Sequence, residues 1–162
     1  MKRVIALLLA VAFVAALGCG KGPKKPADLP KLFPATVTVT YDNGEAVPGA
    51  TVVLFTEQKS GGRSWNVAGV TDDAGKLVLK TDGNWDGVPA GNYTGMVTKE
   101  VSEMGETDAE TGAIKVNSIT RVIDKRFGDP GKSGLAVTIQ EGPNEIEFKV
   151  GEKISETVPV MN

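Results

Sequence analysis

The chain has 162 residues, with 18 basic and 20 acidic side chains, one Cys and no His. That length fits a single domain, and nothing in a net charge of −2 suggests a basic surface for nucleic acid. Without His there is no Ser-His-Asp triad, no Cys-His pair and no imidazole zinc site.

Lys2 and Arg3 precede an apolar run over residues 4–17. The run is shorter than the ~20 residues of a membrane-spanning helix and suits the h-region of a signal peptide over 1–18. Ala16-Leu17-Gly18-Cys19 then reads as a bacterial lipobox, with Ala and Leu where Leu followed by a small residue is usual. It predicts cleavage before Cys19 and acylation there. Each buried CH₂ of an acyl chain contributes about 0.8 kcal/mol, so two or three chains anchor stably. The alternative is a secretory signal cut elsewhere, which leaves a free thiol. Gly20 stands where an Asp retains many lipoproteins in the inner membrane, which favours an outer-membrane lipoprotein facing the periplasm or the surface. Removing Lys2 and Arg3 leaves 16 basic groups against 20 acidic ones, a net charge of −4.

Residues 19–33, with Pro and Lys throughout, predict an extended tether after Cys19. Residues 34–150 then read as β, and 151–162 as a tail. In "TVTVTY" the residues Val37, Val39 and Tyr41 alternate with Thr. "ATVVLFT" (50–56) reads as a strand buried on both faces. "WNVAGVT" (65–71) and "KLVLKT" (76–81) flank an Asp-Asp-Ala-Gly turn. "YTGMVTK" (93–99) follows, and "LAVTI" (135–139) and "IEFKV" (146–150) flank "QEGPNE". About seven short strands with frequent Gly, Pro, Asp and Asn predict a β-sandwich. The stretch 101–125 breaks the pattern. It predicts an insert loop with a short helix over 117–125, capped by Asn117 or Ser118.

Together these segments resemble a known family. "VTVTYDNGEAVPGATVVLF" resembles the first hairpin of the carboxypeptidase-regulatory-like, transthyretin-like sandwich, and "GVTDDAGKLVLKT" resembles its next one. "DGVPAGNYTGMVTK" is similar to the strand that family enters through a "G-D-G-x-P-x-G-x-Y" turn. "RFGDPGKSGLAVTIQEGPNEIEFKV" resembles the closing part of small bacterial lipoproteins built on this domain. Phe127 and Lys132 replace a usual Tyr and Thr. The resemblance covers about residues 36–150 plus the lipobox, and it implies an all-β, Ig-like sandwich on the cell envelope. It carries no catalytic residues.

Elimination points away from an enzyme. "GKS" at 131–133 lacks the earlier Gly of a phosphate-binding loop, and Ser64 lacks the final Gly of a nucleophile elbow. An acylated Cys19 is no nucleophile. No cofactor is implied.

Two features of "TDGNWDGVPAGNY" remain as site candidates. Asp82, Asn84 and Asp86 match the first half of a calcium loop, but Tyr93 stands where that loop needs Glu. The alternatives are a weak calcium turn and a turn shaped by Asp-Gly and Asn; the second is the expectation. Trp85 lies in the same loop, where an exposed ring can stack on a sugar or anchor a protein. Trp65, Tyr41 and Tyr93 are expected in the core. The expected protein is a non-catalytic, lipid-anchored envelope protein with a structural or protein-interaction role. The alternative is a carbohydrate-binding module. Its partners are the membrane, through the lipid, and an envelope protein or polysaccharide.

Overall fold

The structure is a computed structural model and describes residues 23–59, 62–107, 111–112 and 114–160. In chain order the strands begin with β1 (Leu32–Phe33), β2 (Ala35–Thr40), β3 (Thr51–Phe55), β4 (Val67–Val70), β5 (Lys76–Val78) and β6 (Lys80–Thr81). Then come β7 (Trp85–Asp86), β8 (Val88–Pro89), β9 (Gly91–Thr98), β10 (Glu100–Thr107) and β11 (Ile114–Arg121). After a 3-10 turn (Lys125–Gly128) the chain adds β12 (Leu135–Ile139), β13 (Asn144–Lys149) and β14 (Glu156–Pro159). The protein is all-β. No helix among the described residues is long and apolar enough to cross a membrane.

Two sheets enclose the core. The larger runs β12-β9-β3-β4-β6-β7, and the smaller runs β13-β2-β5. Period-two alternation decides which residues enter. In β2, Ala35, Val37 and Val39 are buried while the three threonines point out. In β3 and β9, Val52, Leu54, Tyr93 and Val97 do the same, and they share one cluster with Val47, Leu79, Ile139 and Phe148. Full burial of each such aliphatic side chain contributes roughly 1.5–3 kcal/mol. Trp65, Tyr41 and Tyr93 are buried, as their sequence context predicts.

The expected hairpins are instead crossings between sheets. The turn at 140–143 carries the chain from β12, antiparallel to β9, to β13, which lies parallel to β2. The alternation in 135–139 and 146–150 marks the strands but not their partners. The stretch 76–81 likewise divides at Leu79. β5 pairs with β2 in one sheet and β6 with β4 in the other, and Leu79 donates its amide to Ala35 O at 2.9 Å.

The insert at 101–125 is neither a loop nor a helix. β10 and β11 form a long antiparallel hairpin with irregular register, and β14 from the expected tail pairs with β11. Ser118, an expected helix cap, lies in β11 and donates to Glu103 at 2.9 Å; Asn117, the other, lies in the same strand. Ile114, Val116, Ile119 and Thr120 are β-branched, and branching at Cβ favours extended backbone over helix. The capping chemistry occurs further on, where the Asp124 side chain accepts from Arg126 N ahead of the 3-10 turn. The tether is also shorter than expected, because β1 pairs with β8 and Phe33 is buried.

Candidate functional site

The two sheets present different outer surfaces. The smaller sheet shows Thr36, Thr38, Thr40, Lys76, Glu145, Glu147 and Lys149, with Val78 as its one exposed large apolar side chain among the described residues. The larger sheet shows a mixed surface with an apolar patch at its centre. In β3 the residues opposite in phase to Val52 and Leu54 are Thr51, Val53 and Phe55. Val53 lies between Ala68 and Met96, Thr51 between Val70 and Thr98, and Phe55 beside Thr94. Phe55 is 45% and Val70 58% exposed. The apolar run 50–56 therefore belongs to a strand covered on one face only, which corrects the expectation of burial on both.

An open groove of about 570 Å³ lies at the β3–β9–β12 end of this surface. Phe55, Thr94 and Ala136 sit in adjacent positions across three strands and line it together with Glu57, Gln58 and Asn92. Gln58 Oε1 accepts from Asn92 N at 3.3 Å. Its approach requires Gly91, where a Cβ would lie 2.5 Å from that oxygen. Thr138 donates to Asn92 Oδ1 at 2.8 Å. The buried Tyr93 donates its hydroxyl to Pro89 O at 2.9 Å, and burial raises its pKa.

The remaining wall, Pro130 and Gly131, belongs to a turn organised by Asp129. Its carboxylate accepts from Gly131 N at 2.8 Å and pairs with Lys132 at 3.0 Å. The Lys132 hydrogen bond first, and the Gly131 amide second, lower the Asp129 pKa. The "GKS" segment thus shapes a turn, with Ser133 buried behind it.

The sequence candidates lie elsewhere. Asp82 accepts from Asn66 N at 3.1 Å and pairs with Arg63 at 3.3 Å. Asn84 donates its amide to Asp82 O, and Asp86 pairs with Lys80. Thr81 Oγ1 closes the segment by donating to Gly87 O at 2.7 Å. The Asp, Asn and Asp side chains thus serve three separate local contacts. No group of three or more His, Cys, Asp or Glu able to hold a metal occurs among the described residues. Trp85 is not in an open loop. It stands in β7 opposite Thr81, in the register of buried Val67, and is half-buried. Cys19 lies outside the described residues.

Sequence reading missed Phe55 and Arg63. The alternation of Val53 and Phe55 against Val52 and Leu54 was available as a signal, but a continuous apolar run looks the same whether one or both faces are covered. Arg63 stacks 3.6 Å from the Trp65 ring centroid, a contact that no local spacing announces. No family model, curated protein or solved structure matches the chain.

Proposed function

We propose that the chain is a non-catalytic, lipid-anchored protein of the cell envelope. Its transthyretin-like β-sandwich engages a partner protein through the outer face of the larger sheet. The observation that carries this reading is the contrast between the two outer surfaces. A sheet facing only water favours threonine and charge, as the smaller sheet has apart from Val78; the larger one exposes both Phe55 and Val70 around half-buried Val53 and Met96. Contiguous exposed apolar surface of this kind marks interaction sites. The anchor rests on Lys2, Arg3, the apolar run and Cys19.

The test is photo-crosslinking in intact cells from position 55 or 70, read by mass spectrometry of the envelope fraction. A discrete protein adduct from both sites, lost in Phe55→Ser with Val70→Ser, supports the reading. Only diffuse adducts that the double variant leaves unchanged sink it.

A carbohydrate-binding module is the second reading, favoured by the Phe55 ring beside the amides of Gln58 and Asn92. Retention on envelope glycans that Phe55→Ala abolishes supports it, whereas retention unaffected by that change removes it.

A further inference from the structure

Topology separates the two ends of the sandwich. β2 and β13 both start at one pole, with Ala35 opposite Asn144, and end at the other with Thr40 opposite Lys149. β9, in the larger sheet, runs the same way. It begins at Gly91 opposite Ile139 and reaches Thr98 opposite Thr51. The β10–β11 hairpin leaves immediately after Thr98, so it belongs to the second pole. Among the described residues its strands pair only with each other and with β14.

The tether belongs to the first pole and is held there by several contacts. Asp28 pairs with Arg63 Nε at 3.3 Å. The same guanidinium pairs with Asp82 and stacks on the buried Trp65. Lys31 lies 5.0 Å from the Phe33 ring centroid and 3.9 Å from Glu141. Leu32 and Phe33 pair with Pro89 and Val88. A Cβ at Gly87 would lie 2.7 Å from Phe33 O, so the backbones meet closely only because that residue is Gly. Each exposed ion pair contributes little. Arg63, however, joins two carboxylates and an aromatic face, and β1 adds backbone pairing and a buried ring.

We propose that residues 28–33 are a clasp that fixes how the sandwich stands on a lipid surface. The pole bearing the Asp82–Pro89 segment faces the membrane, and the β10–β11 hairpin points away from it. This rests on the reading of Cys19 as the lipid-bearing residue. From Cys19 to Asp28 the chain spans at most ~30 Å, at roughly 3.3–3.6 Å per residue, so the first pole cannot stray far. Were the tether free to residue 33, the sandwich could turn over. The clasp takes away that extra length and ties the exit point to one end. Lys24 and Lys25 are exposed within the short link, where anionic headgroups attract them by about 1 kcal/mol per charge.

The test uses the full chain purified with its native modification and reconstituted into vesicles carrying an energy-transfer acceptor on the lipid headgroup. An acylated Cys19 leaves the thiol chemistry to an introduced Cys. Ala90→Cys reports the first pole and Met104→Cys the hairpin; both positions are exposed. Transfer from position 90 is expected to exceed that from 104 several-fold. Combining each probe with Asp28→Ala and Arg63→Ala is expected to shrink the ratio toward one. Equal transfer from the two positions in acylated protein, or stronger transfer from 104, overturns the orientation alone. A chain without lipid mass on Cys19 overturns the anchor and the orientation together. A ratio that survives loss of Asp28 and its partner Arg63 overturns the role of that ion pair in the clasp.

Discussion

The ring of Phe148 in β13 occupies the space that Gly95 leaves open in β9. A Cβ at position 95 would lie 2.5 Å from Phe148 Cζ and 2.6 Å from Cε2. The contact crosses from one sheet to the other. Gly95→Ala therefore forces the ring off its position, and overpacking of this kind costs roughly 1–3 kcal/mol. The expected result is a lower denaturant midpoint with an unchanged slope. A midpoint equal to the parent's rules out close packing between the sheets at this position.

Thr71 is buried, and its hydroxyl serves two backbone groups. It accepts from Ala50 N at 2.8 Å and donates to Val47 O at 2.7 Å. Thr71→Val keeps the shape and leaves both groups unpaired, at about 1–3 kcal/mol for each. Thr71→Ser keeps both hydrogen bonds and loses only a methyl. Val is thus expected to lower stability more than Ser, and the opposite order in thermal melts refutes this account.

Tyr41 and Tyr93, the chain's two tyrosines, both have pKa values raised above 10.0, first by burial. For Tyr41, Lys153 opposes the shift and Glu45 adds to it. The folded state thus favours the neutral phenols. Their contribution to stability is fully present below the unfolded value near 10 and is lost as pH rises through the raised folded values. Spectroscopic titration is expected to show less tyrosinate at pH 10 in folded protein than in urea, where about half is ionised. Equal titration in both states sinks the prediction.

Asp82 adopts φ 50°, a left-handed conformation that Asp and Asn tolerate better than most residues. Its carboxylate also accepts from Asn66 N. Asp82→Ala is expected to cost about 1 kcal/mol, and Asp82→Asn less. Because the Asp82 and Asp86 carboxylates already serve Arg63, Asn66 N and Lys80, millimolar calcium is expected to leave Tm unchanged. A calcium-dependent rise that Asp86→Asn removes is the result that restores the calcium reading.

The strands legible in the sequence were those with one dry face. Val37 and Val39 against Thr36 and Thr38, or Tyr93 and Val97 against Thr94 and Thr98, show the period of two directly. The hairpin of β10 and β11 hides because none of its described side chains belongs to the core cluster. Val101 and Met104 are exposed, so polar residues fall on both faces and the alternation disappears. Strand partners were illegible for a different reason. Alternation places Leu77 and Leu79 inward without stating that the chain changes sheets between them. The Arg63 cluster joins residues 28, 63, 65 and 82, and only the folded chain brings these together.

The parallel pair of β2 and β13 has a mechanical consequence. Its register runs unbroken from Ala35 opposite Asn144 to Thr40 opposite Lys149. A tug between the tether and β14, which is paired to the hairpin, draws β2 by its first residue and β13 by its last, in opposite directions along one axis. That loads the inter-strand hydrogen bonds in shear, all at once, where peeling would break them singly. Strain between an anchor and a distal partner would thus meet the sandwich along its stiffest direction.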